Sequence, residues 1–293
     1  MIIFMKHSKI MSVFSVCCIA AVVLRILQLR FLIDGDTGFA KTGLGNTRCL
    51  ILTYVLMIVC AAVTAFVTTY SSKRQPTQAP DIKQCKAIVP AAFLIVVYNA
   101  YSLISLAVSG NLSKIRLLLA VLLLLNIVFF TLYGASAFVN IKVPAILSII
   151  PVLLSGYRLI EEFLSYNGVV NISENLFTIG FMCFQTVFFL LHAKILCNTE
   201  VRRSCRLVLP VSAFTFGFSA VCTLPSLLIY MFGGAEKLHN FDSSHIGFII
   251  IGIYALVFTM FLYSKKLMPR KEFHTTATMD RDPNETVFYT DEK

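Results

Sequence analysis

Apolar residues run along nearly the whole chain in blocks of about twenty, separated by short polar stretches, with neither strand alternation nor the one-sided periodicity of soluble helices. A bilayer core needs about 20 predominantly apolar residues per helix. The pattern predicts eight such spans, at about 10–33, 49–70, 88–109, 117–139, 143–165, 174–197, 207–232 and 246–264. A porin-type barrel is excluded, because its strands alternate over roughly ten residues. The expected fold class is all-α, a polytopic transmembrane helix bundle forming one domain over residues 1–264. Residues 265–293 are polar and are expected to be a disordered cytoplasmic tail. The first block has no small-x-small cleavage site before Arg25 and stays apolar to Ile33, so it is expected to be a retained helix and not a cleaved signal.

Composition agrees with this picture. Of 293 residues, 57% are hydrophobic and only 14% charged, against roughly a quarter charged in soluble domains. The mean hydropathy is +0.80. Basic residues in short loops stay cytoplasmic, and Lys6 and Lys9, Lys73 and Arg74, Lys142, Lys194, Arg202, Arg203 and Arg206 all fall on one side when the N terminus is inside. Both termini are therefore expected in the cytoplasm. The net charge of +10 then reads as topology and attraction to anionic headgroups. No basic stripe with interleaved aromatics suggests nucleic acid. The nine cysteines contain no C-x-x-C and imply no disulfide framework.

Ionisable residues inside a membrane are the first candidates for function. Arg25 and Arg158 each lie about 15 residues into their spans, roughly 22 Å across a core of about 30 Å. Glu161 and Glu162 follow Arg158 by three and four residues in YRLIEEF, on the same helix face. This predicts an outer-leaflet charge cluster of Arg25, Arg30, Arg158, Glu161 and Glu162, which would serve as a gate or as structural glue. Nearer the midplane stand Asn99, Asn126 and Gln185, amides suited to hydrogen bonds between helices or to lining a substrate path. No carboxylate or His lies at the midplane, which counts against an ion-coupled carrier. His239, Asp242 and His245 in HNFDSSH are metal-ligand types, but their spacing fits no familiar zinc site.

Asp34-Gly35-Asp36-Thr37-Gly38 invites readings as an aspartyl-protease triplet, a phosphatase loop or a calcium loop. The first two need soluble folds that are absent from the pattern, and the third needs oxygen ligands where Gly38 and Gly45 stand. What remains for Asp34 and Asp36 is a helix exit, with the acids placed to pair with Arg25 or Arg30. No cofactor motif or P-loop occurs.

Phe188-x-x-x-His192 resembles an element of the CAAX-type intramembrane proteases, and Glu161-Glu162 resembles that family's paired glutamates. The family's following arginine is replaced by Tyr166, and the two motifs are expected at opposite faces of the bilayer. The exit LIDGDTGF, YRLIEEF, NISENLF and FFLLH together resemble an uncharacterised family of multi-pass membrane proteins from anaerobic Gram-positive bacteria. That resemblance implies a bacterial plasma-membrane protein of one intact domain and brings no activity with it. Three functions stand open, in order: a non-enzymatic regulatory or scaffolding subunit reaching a protein partner through cytoplasmic loops and tail, a transporter or permease for a small solute, and an intramembrane enzyme. The lipid bilayer is the one partner the pattern demands; oligomeric state is not legible.

Overall fold

Long runs of Leu, Ile, Val and Phe can satisfy their backbone polar groups only within their own segment when lipid surrounds them, and the helix does this. The computed structural model describes residues 2–33, 44–70, 86–109, 114–139, 143–165, 173–232 and 244–263. Among these, eight α-helices follow in order: α1 (Ile2–Leu27), α2 (Leu44–Tyr70), α3 (Ile88–Val108), α4 (Lys114–Ala135), α5 (Ile150–Ser165), α6 (Ser173–Leu196), α7 (Val201–Met231) and α8 (Ser244–Tyr263). A π-helical turn, Gln28–Leu32, extends α1, and a 3-10 turn, Ala145–Ile149, leads into α5. Each expected span coincides with one helix. Inside the chain the largest shifts are at α5, whose α-helix starts seven residues late after the 3-10 turn, and at α7, which starts six residues early because VRRSCR contains no helix breaker. The turn before it is tight, with Asn198 and Glu200 at φ of 57° and 48°.

Six helices among the described residues are long and apolar enough to cross a membrane: Phe14–Leu32, Ile88–Val108, Lys114–Ala135, Leu176–Leu196, Arg203–Met231 and His245–Leu262. The two expected spans outside this set are α2, whose described apolar stretch is Thr47–Val59, and α5, which has 16 residues and carries Arg158, Glu161 and Glu162. Side chains sort in the sense a lipid solvent requires. Ile104, Ile115 and Val108 are exposed, while Asn99, Asn126, Gln185 and Ser219 are buried.

Four successive pairs of helices reverse direction. The Leu32 side chain meets Gly45, so the end of α1 adjoins the start of α2. The Tyr157 hydroxyl donates to the Ile115 carbonyl at 2.9 Å, bringing the late part of α5 to the start of α4. Ser148 Oγ lies 3.5 Å from Cys197 Sγ, bringing the approach to α5 beside the end of α6. The Thr223 hydroxyl donates to the His245 carbonyl at 2.7 Å, tying late α7 to the start of α8.

The packing closes a ring: α3 on α4, α4 on α5, α5 on α6, α6 on α7, α7 on α8 and α8 back on α3. The α1–α2 hairpin lies outside this ring, against α7. α7 therefore has four principal neighbours, and 61% of its membrane-length window is buried, against 28% for α1, α3 and α4. It manages this with small residues, which let backbones approach closely. Three of its hydroxyls are satisfied locally: Ser212, Thr215 and Ser219 donate to carbonyls three or four residues back at 2.7–2.9 Å. Where α8 crosses, Gly252 faces the Ser219 side chain and, at 3.3 Å from the position of an added Cβ, the Phe216 backbone.

Gly252→Ala should therefore push α8 off α7. Overpacking costs about 1–3 kcal/mol and outweighs the ~1 kcal/mol of helix propensity gained. Thermal unfolding in detergent should show a lower midpoint for Gly252→Ala. Gly156→Ala, where an added Cβ meets nothing within 4 Å, should show an equal or higher one.

Candidate functional site

The middle of the six-helix ring is filled by aromatic side chains spaced three and four residues apart on α4, α6 and α8, so that each set shares one helix face. Phe129, Phe130 and Tyr133 come from α4, Phe188, Phe189 and His192 from α6, and Tyr254 and Phe258 from α8. His192 and Tyr254 are both fully buried. The ring of His192 lies 4.5 Å from that of Phe258, 5.7 Å from Tyr133 and 6.3 Å from Phe129, each in an edge-on arrangement. Phe130 stands edge-on to Tyr254 at 5.3 Å. Edge-to-face pairs of this kind add about 0.5–1.5 kcal/mol each beyond area burial.

One polar chain threads the plug. His192 Nε2 lies 2.9 Å from the Tyr254 hydroxyl, which also hydrogen-bonds the Tyr133 side chain. His192 Nδ1 has no hydrogen-bond partner. An orphaned buried N–H is rarer and costlier than an orphaned acceptor. The favoured tautomer therefore carries its proton on Nε2 and donates to Tyr254, leaving Nδ1 as the bare acceptor.

The midplane amides sit in the same packed interior. Asn99, Asn126 and Gln185 retain 3%, 4% and 6% of their surface. The expected hydrogen bonds between helices are incomplete, since Asn99 Nδ2 and Asn126 Oδ1 have no partner. One is a donor and the other an acceptor, both on the ring's inner faces.

Each of the five charged residues of the expected cluster has contacts of its own. Arg25 is 1% exposed; its Nη1 donates to Gln28 Oε1 at 2.7 Å and its guanidinium lies over the Phe177 ring of α6 at 4.7 Å. Arg30 is exposed and lies 5.8 Å over Phe31. Arg158 donates to the Tyr98 hydroxyl of α3 at 3.1 Å and faces that ring. Glu161 is exposed and Glu162 half-buried, with Arg158 and Arg116 in electrostatic range of Glu161. The principal neighbours of α1 are α2 and α7, and those of α5 are α4 and α6; Arg25 nevertheless reaches α6 through Phe177. Asp34 and Asp36 lie outside the described residues, as do His239, Asp242 and the tail from 264. No group of three metal-ligating side chains occurs among the described residues.

The protease-like pairing fails on geometry. His192 is close to Cys197, whose thiol meets Ser148 before α5 begins, whereas Glu161 lies 13 residues further along. His192 lies five residues back from Cys197 in the same direction, so at 1.5 Å per helical residue the two are offset by roughly 12 Å along the bundle axis. Sequence reasoning weighed His192 only in that motif. Its role as the hub of the aromatic plug was signalled by the F-F-x-x-Y and F-F-x-x-H spacings and by Tyr254 four residues before Phe258.

His192→Ala should leave the Tyr254 hydroxyl without its imidazole partner and open a cavity, lowering stability by about 3 kcal/mol. Tyr254→Phe, which removes the hydroxyl and keeps the ring, should cost about 1 kcal/mol. Denaturant or thermal midpoints of the two variants in one detergent check this order.

No family model, curated protein or solved structure matches the chain.

Proposed function

We propose that this chain is a non-enzymatic membrane subunit, regulatory or scaffolding, that crosses its membrane eight times with both termini cytoplasmic; that the membrane is a bacterial plasma membrane is what the resemblance in its sequence implies. The observation that carries the reading is the plug: the ring interior, where a carrier would hold its solute, is packed with rings around His192 and Tyr254. The amides that would line a path are almost without accessible surface.

The geometry also favours eight crossings over six. The 3-10 turn and α5 together give five residues at about 2.0 Å and 16 at about 1.5 Å, roughly 34 Å against a core of about 30 Å. Reversal at each connection then returns the eighth helix to the side on which the first begins. With the protease-like pairing of Glu161 and His192 set aside, the protein would act through its extramembrane segments on a protein partner.

A small-solute carrier is the second reading. It is favoured by the unpartnered Asn99 Nδ2 and Asn126 Oδ1, a donor and an acceptor that a dipolar solute would satisfy.

One experiment separates them. Unfolding of the purified protein is followed against ions, amino acids, nucleosides and sugars, with Asn126→Leu alongside. The subunit reading expects no solute to shift the wild type, and expects Asn126→Leu to stabilise by about 1 kcal/mol because a buried, unsatisfied polar atom is removed. A solute that raises the wild-type midpoint and leaves the variant's unchanged would overturn it in favour of the carrier.

A further inference from the structure

The outward face of the α1–α2 hairpin is not flat. Val16, Ala20, Val23 and Leu24 of α1 and Leu52 and Leu56 of α2 are among the side chains that line an open groove of about 560 Å³ between the two helices. That volume falls within the range of about 300–1,000 Å³ usual for small-molecule clefts. Its floor is low because Ala20 presents only a methyl group where its neighbours are branched. Along α1 the lining from Val16 to Leu24 extends roughly 12 Å, about two helical turns.

Both walls lead toward the same end of the hairpin, and each meets an arginine there. On α1 the exposed row Val23, Leu27 continues to Arg30, which is exposed. On α2, Arg48 precedes the groove residue Leu52 by four positions, on the same helix face, and is also exposed. The contact of Leu32 with Gly45 holds these two helix ends side by side. Phe31, 60% exposed, places an aromatic ring beside Arg30, a combination suited to the membrane–water boundary. An apolar channel ended by two guanidinium groups is complementary to one kind of molecule in a bilayer: an acyl chain joined to a phosphate.

We propose that the α1–α2 groove binds an anionic phospholipid, with one acyl chain lying between Ala20 and Leu56 and its phosphate held by Arg30 and Arg48. Guanidinium suits the task because its planar donors match two phosphate oxygens at once. The headgroup faces the leaflet at the end of the bundle where α1 gives way to α2. The site requires membrane placement only, and stands apart from whether the ring is a scaffold or a carrier.

The test is thermal unfolding in neutral detergent while dioleoyl phosphatidylglycerol, dioleoyl phosphatidylcholine or inorganic phosphate is titrated in. Phosphatidylglycerol should stabilise the wild type at a mole fraction on the order of tenfold lower than phosphatidylcholine, and phosphate alone should do nothing. Arg30→Gln/Arg48→Gln should erase the preference, and Arg30→Lys/Arg48→Lys should keep part of it. Ala20→Phe, which fills the groove, should weaken the response to both lipids. Equal responses to the two lipids would overturn the proposal. So would a shift produced by inorganic phosphate, which would indicate a plain anion site, or a preference that survives the double Gln change. If the double Gln variant does not fold, the wild-type lipid ratio and Ala20→Phe decide the matter alone.

Discussion

Six helices arranged in a ring leave a middle that their backbones cannot reach, and that space must hold either water or side chains. Here it holds rings. Phe129, Phe130 and Tyr133 meet Phe188, Phe189 and His192 from one side and Tyr254 and Phe258 from another. Protein interiors are packed about as densely as organic crystals, so a plug of this kind resists small rearrangements. The burial of Asn99, Asn126 and Gln185 accompanies it. The single polar chain through it, from His192 to Tyr254 to Tyr133, gives the rings a fixed mutual orientation that dispersion alone would leave loosely specified.

α7 solves a different problem, because it must serve as a wall of the ring and as the platform for the hairpin. A helix with large residues on all sides would hold its neighbours too far apart. Gly217 receives Met57 of α2, with Cys18 of α1 also in contact range, while Ser219 receives Gly252 of α8 and Phe218 meets Gly180 of α6. Ser212, Thr215 and Ser219 bond to their own helix, so the face they present to neighbours is small without being unsatisfied. Pro210 and Pro225 lie within α7 without ending it. Neighbouring helices and local hydroxyls tolerate the freed backbone groups, as is common in membrane helices.

The helices themselves were legible in the sequence because each lies in an apolar block, six of them among the described residues long and apolar enough to cross a membrane, and that signal is local. Their boundaries held within a few residues except where polar sequence stays helical beyond the apolar block, as in VRRSCR at the start of α7. The charge cluster was read from depth along separate helices, and depth says nothing about lateral neighbours. Arg25 and Arg158 are each placed toward the same end of their helices, yet one finds Phe177 and the other Tyr98. The aromatic plug was visible only as spacing on three separate helices. Nothing local in the sequence states that α4, α6 and α8 converge, since that depends on the closing contact of α3 with α8.

Arg25 carries the last step. A guanidinium at 1% exposure in an apolar bundle is costly unless polar and aromatic groups replace its water. Gln28 supplies an acceptor from one turn along, in the π-turn that ends the helix, and Phe177 supplies the negative face of its ring from α6. Tyr54 of α2 stacks on the other neighbour of this arrangement, 5.0 Å from Phe177. Three helices, two from the hairpin and one from the ring, therefore meet at a single cation. A residue lining a path would keep a wet side; this one is enclosed by the joint it makes. Arg25 is thus better understood as the lock between hairpin and ring. The exposed Arg30, five residues later, is the one left to face the bilayer.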